Sequence, residues 1–269
     1  MPLLRRLLSV FPAVIRDWQG CIRQSADSQS AFRLGLDFAL SRFLTRSPRT
    51  RPARIRQVRF KNGVALAYRL NKGDLHSIRE VWFEEDYRLP FEGPSGTLLD
   101  LGANIGMTSV WLAKRYSFDR VIAVEPDPAN ASLARRNLEL NGIKGEVVQA
   151  AIGPFEGTAR FETSGSSNLG RVSDRGLPVA MTTVAAILAR SGCSRFGLIK
   201  IDIEGGEQAL FEGPTDWLDS AGAIIAEFHP ALVDCSKIVE AITSRGFSYI
   251  PSNSVFPDNM ESFTSNARS

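Results

Sequence analysis

From Thr97 onward, short runs of Leu, Ile, Val and Ala alternate with longer stretches of helical periodicity. The runs are five to seven residues long and lie at 97–101, 120–125, 146–152, 198–203 and 223–228. Strands read as continuous apolar runs when both faces of their sheet are covered, as they are where crossover helices join parallel strands. The pattern therefore predicts an α/β fold with a parallel central sheet.

Helices are predicted between these strands. Gly142 follows the predicted helix 128–141 at the position where a left-handed residue ends many helices. Further helices are predicted at 106–116, about 205–212 and 234–245. Together with the strands, they make 96–269 one predicted domain.

The first 95 residues are predicted to form a basic helical extension with a linker (1–56) and a strand pair with a helix (57–95). An Arg- and Pro-rich stretch at 46–56 indicates the linker. In the extension, 31–43 has apolar residues at the spacing of a helix stripe, namely Phe32, Leu36, Ala39, Leu40 and Phe43. Asn62-Gly63 predicts a tight turn between strands 58–60 and 64–68, and 74–87 is predicted to be a helix capped by Asp74.

The positive charge of the chain is concentrated in its first 60 residues. They hold twelve Arg and three Asp and no other charged side chain, whereas the whole chain carries a net charge of only +3. Such an arm could contact a nucleic acid, an anionic membrane or a phosphorylated substrate. The simpler interpretation is a solvated helical extension, or an arm that joins subunits of a homo-oligomer.

The cellular compartment is predicted from what the sequence contains. The three cysteines, Cys21, Cys193 and Cys235, are far apart and form no C-x-x-C pair, which favours reduced thiols over a disulfide framework or a zinc site. No apolar run reaches the ~18–20 residues of a membrane span, and the first residues do not match a secretory signal. We therefore expect a cytoplasmic protein.

A Gly-rich turn joins the first predicted core strand to its helix, in the segment Leu98–Gly106 (LLDLGANIG). Gly102 and Gly106 allow a sharp turn and a close approach to a ligand, although many nucleotide-binding folds share this feature. Asp100, just before the turn, could accept hydrogen bonds from an ammonium group such as that of methionine. Glu125 ends the next strand, where a carboxylate can accept from two ribose hydroxyls. Alternatively, both carboxylates only cap the helices that follow them.

The segments DLGANIGMTSVWLAK, VIAVEPDPANASLARRNLELNG, VVQAAIG and LIKIDIEGGEQALFEG, between Thr97 and His229, resemble the FkbM family of S-adenosylmethionine-dependent methyltransferases. The resemblance implies a Rossmann-like, mostly parallel seven-stranded sheet with a terminal antiparallel hairpin. It also implies O-methylation of a hydroxyl on a small natural product, sugar or glycan. The cofactor residues that it implies are Asp100, Gly102, Asn104 and Gly106 around the methionine end, Glu125 at the ribose, and Pro126, Ala150 and Ala151 around the adenine.

An alcohol acceptor must lose a proton as its oxygen attacks, so a general base is needed near the cofactor. Ligands bind at the carboxyl ends of the strands in open α/β sheets, and four candidates lie there: Asp202, Glu204, Glu227 and His229. Asp202 could instead cap the following helix, and Lys200 could neutralise it. Asp202, Glu204 and Glu227 could also bind a divalent cation, but no D-x-D or His-pair spacing supports this, and we expect no metal.

Three other functions remain open on the sequence alone. A nicotinamide-dependent oxidoreductase is disfavoured because the turn lacks the full G-x-G-x-x-G fingerprint. A nucleic-acid-binding protein, for example an RNA methyltransferase, would use the basic arm. A cofactor-binding protein without catalysis is the third alternative. The acceptor does not follow from the sequence.

Overall fold

The structure is a computed structural model that describes residues 2–41, 54–163, 170–172, 176–250 and 260–266. The described chain forms two compact units, one up to Glu85 and one from Asp86 onward. The division of the chain at residues 56 and 95 stays a prediction.

The described part of the first unit contains three helices and a strand pair. Its elements are α1 (Pro2–Gln24), α2 (Ser28–Ser41), β1 (Ile55–Arg59), β2 (Ala65–Arg69) and α3 (Lys72–Ile78), which continues as a π-helix, Arg79–Glu84. β1 and β2 are antiparallel, and Gly63 has a φ of +79°. The turn predicted from Asn62-Gly63 is therefore confirmed.

The helix predicted at 74–87 begins earlier, at Lys72, and ends at Glu84. The predicted capping role of Asp74 is wrong. Asn71 caps the helix by accepting a hydrogen bond from the Asp74 amide at 2.7 Å. The Asp74 carboxylate is fully buried against the Arg69 guanidinium at 2.9 Å, and this ion pair holds it away from the helix end.

Helix α2 is confirmed, but the predicted stripe does not lie on its packed face. Helix α2 buries Ala31, Leu34 and Phe38, whereas its exposed large apolar side chains are Phe32, Leu36 and Leu40. Phe43, and the predicted linker up to residue 53, lie outside the described residues.

The second unit is built around a central sheet, and its elements alternate in the predicted way. In chain order they are β3 (Gly96–Leu101), α4 (Met107–Arg115), β4 (Phe118–Val124), α5 (Pro128–Leu140), β5 (Gly145–Val148), β6 (Ala151–Ile152), β7 (Gly157–Thr163), β8 (Gly170–Val172), β9 (Leu177–Thr182), α6 (Val184–Ser191), β10 (Leu198–Ile201), α7 (Glu207–Glu212), a 3₁₀ helix (Asp216–Ser220), β11 (Ala223–Glu227), α8 (Cys235–Thr243), β12 (Phe247–Ile250) and β13 (Met260–Ser265).

The central sheet has seven strands in the order β12-β13-β11-β10-β3-β4-β5. Strand β13 is antiparallel to both of its neighbours, and the other neighbouring strands are parallel. Leu99, Ile122, Ile199 and Ile224 in its central strands are completely buried, which explains their continuous apolar runs. The predicted Rossmann-like sheet with a terminal antiparallel hairpin is confirmed.

The strand predicted at 146–152 is two strands that belong to two sheets. Strand β5 ends at Val148, and β6 joins a four-stranded sheet of order β6-β9-β7-β8. Between them the Ala150 amide donates to the Val148 carbonyl at 3.1 Å, which turns the chain. The sequence prediction assigned no element to 157–191, where β7–β9 and α6 lie.

The strand predicted at 198–203 is also too long, since β10 ends at Ile201. Glu204 and Gly205 follow with φ of +53° and +89°, so the chain turns before α7. Among the described residues, no helix has both the length and the apolar composition required to cross a bilayer.

Candidate active site

The Gly-rich turn after β3 lies directly against the backbone that follows β10. A Cβ on Gly102 would come within 1.8 Å of the Asp202 carbonyl oxygen, and the φ of Gly102 is +79°. No other residue type fits this position without moving one of the two strand ends. The amides of Gly102 and Ala103 both donate to the Val124 carbonyl, at 3.0 and 2.9 Å, so the turn is fixed to β4 as well.

Gly106 closes the same turn and stands at the start of α4. Its φ is +75°, and a Cβ there would lie 3.0 Å from the Ala134 Cα of helix α5. Asn104, between the two glycines, also has a positive φ of +49°. The turn therefore consists of three residues in left-handed conformations, which glycine and asparagine adopt most readily.

Glu125 follows β4 and already accepts three hydrogen bonds. Its Oε2 accepts from the Asn104 amide at 2.9 Å, and its Oε1 accepts from the Asp127 amide at 2.9 Å and from Asn130 Nδ2 at 3.3 Å. The side chain is almost completely buried, and this burial raises its pKa to about 7 although the three donors lower it. A carboxylate offers about four acceptor positions, so Glu125 retains one for a ligand.

Asp100 has partners other than the ammonium group expected from the sequence. It is completely buried; Ser109 Oγ donates to its Oδ2 at 2.5 Å, and Lys200 Nζ lies 3.1 Å from its Oδ1. Each carboxylate oxygen therefore has a polar partner inside the protein, and contact of Asp100 with a cofactor stays a prediction. The interpretation of Asp100 as a helix cap is not supported either, because its hydrogen-bonding partner is a side chain.

Lys200 contacts both the Gly102 turn and the Asp202 carboxylate. The buried ammonium donates to the Gly102 carbonyl at 2.8 Å and lies 3.6 Å from Asp202 Oδ2. Burial lowers its pKa, but the carboxylates of Asp100 and Asp202 outweigh this effect and hold the pKa above its ordinary value. Lys200 thus carries a fixed positive charge between these two carboxylates.

The remaining expected cofactor residues lie around the ends of β4 and β5. Pro126 is half-buried directly after Glu125, and the buried Ala150 and Ala151 lie immediately before and at the start of β6. These positions offer an apolar surface beside Glu125. Contact with an adenine ring stays a prediction for all three.

Asp202 and Glu227 share one hydroxyl group as a partner. Tyr87 Oη lies 3.1 Å from Asp202 Oδ2 and 3.3 Å from Glu227 Oε2. A phenol has one proton, so it donates to one carboxylate at a time. Burial and the negative charge of Asp202 raise the pKa of Glu227 to about 7, so part of the Glu227 population is protonated at neutral pH.

His229 and Glu204 form the other part of this cluster. His229 Nδ1 lies 3.1 Å from Oε1 of the completely buried Glu207, and its Nε2 lies 3.5 Å from Glu204 Oε2. The hydrogen bond to Glu207 raises the pKa of His229 to about 9, and burial with the nearby Asp202 charge raises that of Glu204 to about 8. A pKa of about 9 favours the imidazolium form of His229 at neutral pH, and its role as a base stays a prediction.

The four predicted candidates for the base thus lie together at the carboxyl ends of β10 and β11. They are Asp202, Glu204, Glu227 and His229. Among the described residues, Asp202, Glu204 and His229 can each offer a ligand atom within 4.8 Å of the others. Two carboxylates and an imidazole are donor types that bind divalent cations. The expectation that the site needs no metal therefore stays a prediction.

Sequence reasoning missed two residues that hold this cluster. Tyr87 comes from the segment before β3, and Glu207 lies in the first turn of α7. Glu207 stands three residues after Glu204 in the segment DIEGGE. This short spacing is the sequence signal that could have placed Glu207 near the other candidates. No local pattern marks Tyr87, because its contacts are with residues more than 100 positions away.

Comparison with known proteins gives a family for this fold and site. The family model described as "Methyltransferase FkbM domain" matches residues 100–249, more than half of the chain. The 31-O-demethyl-FK506 methyltransferase FkbM of Streptomyces tacrolimicus is 23% identical over 73% of this chain and 90% of that protein. The hexuronic acid methyltransferase AglP of Haloferax volcanii is 26% identical over 65% of this chain and 76% of that protein.

A crystal structure of the methyltransferase FkbM from Methylobacillus flagellatus is also similar. It is 14% identical, with a TM-score of 0.48, and the match covers 96% of this chain but only 60% of that longer chain. The family match rests on the segments between β3 and β12 that form the central sheet and the candidate site. The chain belongs to the FkbM methyltransferase family.

Proposed function

We propose that the protein transfers a methyl group from S-adenosylmethionine to a hydroxyl oxygen of a small natural product or sugar. The observation that carries this proposal is the contact of the Gly102 turn with the backbone of Asp202. A cofactor placed along the turn and an acceptor placed at the carboxylates would meet there. Methyl transfer requires this closeness, since most of its rate enhancement comes from positioning the two reactants.

The residues at the Gly102 turn fit such a cofactor. Glu125 retains one acceptor position for a ribose hydroxyl, and binding both hydroxyls requires the long 3.3 Å bond from Asn130 to yield. Asp100 supports the site through Lys200 and Ser109. When bound, the cofactor would supply a methyl group on a positively charged sulfur.

Asp202 is the base that the geometry favours. Its Oδ2 lies 3.1 Å from the Tyr87 hydroxyl and 3.6 Å from the Lys200 ammonium, at the point nearest the Gly102 turn. Glu204 and Glu227 are partly protonated at neutral pH because of their raised pKa values. Asp202 would accept the proton of the acceptor hydroxyl, and Glu227 would stay beside it as a second proton site.

The relatives suggest what the acceptor is. Their names record methylation of 31-O-demethyl-FK506 and of a hexuronic acid, so a natural product and a sugar acid are both represented. We propose an acceptor of this chemical range. A nicotinamide-dependent reaction, by contrast, has no support from the family.

The test is a transfer assay with labelled S-adenosylmethionine and a panel of hydroxylated macrolides, sugars and sugar acids. Once an acceptor is found, we expect Asp202→Asn to lower turnover by ~10²–10⁴-fold, the usual contribution of a general base, and to leave cofactor affinity unchanged. The control is Asp119→Asn, which changes an exposed carboxylate on β4. Full turnover by Asp202→Asn would refute the assignment, and loss of turnover in EDTA would favour a cation at Asp202, Glu204 and His229 instead.

A further inference from the structure

Helices α1 and α2 carry several large apolar side chains that are exposed in the described chain. We use the term apolar strip for Ile15, Ile22, Phe32, Leu36 and Leu40, which are between 41% and 63% exposed. Ile15 and Ile22 are seven residues apart on α1, and the other three follow one another at intervals of four on α2. Each set therefore lies on one face of its helix.

The two parts of the apolar strip meet at Trp18. The rings of Trp18 and Phe32 are 6.0 Å apart, and Trp18 lies between Ile15 and Ile22 on the same face of α1. Gly35 permits this contact, since a Cβ there would lie 2.8 Å from the Trp18 ring. The strip is thus one surface that spans both helices.

The composition of α2 shows that this surface is not an ordinary solvated helix face. Its charged residues are Arg33 and Asp37, and Asp37 is completely buried, where Tyr68 Oη donates to it at 2.6 Å. The helix therefore has apolar side chains on the face that packs in the first unit and also on the exposed face of Phe32, Leu36 and Leu40. A wide apolar helix face is normally packed against another surface.

The charges beside the apolar strip are positive. Arg16, Arg23 and Arg33 are exposed on the two helices. The acidic residues of these helices, Asp17 and Asp37, are buried in ion pairs with arginines at 2.8 and 3.3 Å. A partner for this surface must therefore accept both apolar side chains and guanidinium groups.

We propose that the apolar strip docks on the surface of a bilayer that contains anionic phospholipids. Helices with this composition lie in the interface, with apolar side chains at the acyl boundary and arginines among the phosphates. A second copy of the chain would bring arginines against arginines, which disfavours a symmetric dimer through this face. A nucleic acid would match the arginines but would leave the aliphatic side chains without stacking partners.

The test is co-sedimentation of the full chain with vesicles of phosphatidylcholine, with or without about 30% phosphatidylglycerol. We expect binding only to the anionic vesicles, with a blue shift of tryptophan emission as Trp18 leaves water. The triple variant Phe32→Ser/Leu36→Ser/Leu40→Ser should bind at least about tenfold more weakly, and so should Arg16→Gln/Arg33→Gln. The matched control Arg136→Gln/Lys144→Gln/Lys237→Gln removes three exposed charges from the second unit and should bind like the parent protein.

Three results would overturn the proposal. The first is the absence of binding to anionic vesicles, and the second is equal binding by the apolar triple variant, which would indicate charge attraction alone. The third is a stable dimer, seen by light scattering, that the apolar triple variant converts to a monomer. The substituted side chains are exposed, so the variants should keep the helical circular dichroism of the parent. Cofactor binding is measured on the same samples, so failure of membrane docking is separate from failure of the proposed methyl transfer.

Discussion

The two ends of the candidate site differ in how their carboxylates are satisfied. At the end of β4, Glu125 accepts three hydrogen bonds from its own chain, two of them from backbone amides. At the ends of β10 and β11, Asp202 and Glu227 share a single phenol proton. The first arrangement is a rigid acceptor formed by local backbone, and the second is a group of like charges held close together.

The pKa values show the same difference. Burial raises the pKa of Glu125, and its hydrogen bonds oppose this rise. At the other end, burial and the charge of Asp202 act in the same direction on Glu204 and Glu227. Perturbed carboxylates of this second kind are typical of sites where protons move. We therefore propose that the site has a binding end at Glu125 and a reactive end at Asp202.

The variant Gly102→Ala should separate the two ends, and we expect it to lower cofactor affinity more than any other single substitution in the site. Its Cβ would strike the Asp202 carbonyl, so the turn and the end of β10 must separate. We expect S-adenosylmethionine affinity to fall by about 100-fold or more, or ~3 kcal/mol. The measurement is titration calorimetry on the folded variant.

The matched control for this change is Gly192→Ala. Gly192 has a similar φ of +71° and no atom within 4 Å of the added Cβ, so it isolates the backbone penalty, about 1 kcal/mol of stability. Equal affinities for Gly102→Ala and the parent would show that the two ends are not coupled through this contact.

The variant Tyr87→Phe should affect the reactive end alone. Burial raises the pKa of Glu227 and the Tyr87 hydroxyl opposes this rise, so its removal raises the pKa of Glu227 further and moves the acidic limb of kcat/KM to higher pH. We expect kcat to fall about tenfold, in line with the loss of a hydrogen bond to a charged group, while KM for the cofactor stays unchanged. Tyr249→Phe, which removes a hydroxyl bonded to the more exposed Glu261, serves as the control. An unchanged pH profile would exclude this role for Tyr87.

The stability of the fold should depend on pH because several titratable side chains lie close together at the reactive end. The folded-state pKa values of Glu204 and His229 lie above their ordinary values, so the folded state binds more protons between about pH 4.5 and 9. Stability must therefore fall as pH rises through this range. Glu204 contributes the part of this pH dependence that ends near pH 8. The variant Glu204→Gln removes that contribution and should raise Tm at pH 8 by about 3–6 °C. The exposed Glu240→Gln is the control, and an equal decline of Tm with pH in Glu204→Gln and the parent would contradict this account.

The central sheet and the turn at Gly102 could be predicted because their signals are local. A buried parallel strand requires a continuous apolar run, and a left-handed turn requires glycine at Gly102 and Gly106. The same reasoning failed at 146–152, where one apolar run serves two sheets and only the pairing with β9 separates them. It also failed at α2, since periodicity identifies a helix but does not show which of its two apolar faces packs.

The candidate site also has residues that local sequence signals predict and residues that only tertiary contacts reveal. Glu125 and Asp202 were identified by their positions at strand ends, whereas their partners depend on tertiary contacts. Tyr87 reaches Asp202 from another part of the chain, and Asp100 is enclosed by Ser109 and Lys200. The position of a residue at a strand end therefore predicts that it lies in the site. Tertiary packing determines whether its side chain is accessible to a ligand.

The most direct test of the central claim is titration calorimetry of the protein and of Glu125→Gln with S-adenosylmethionine, with Glu139→Gln as an exposed control on α5. We predict binding near the micromolar range, about −8 kcal/mol, weakened at least about tenfold by Glu125→Gln because the amide cannot accept from the ribose as the carboxylate does. Affinity should also weaken below pH 7, where Glu125 becomes protonated. No binding by the parent protein, or equal binding by Glu125→Gln, would contradict the assignment of this end of the sheet to the cofactor.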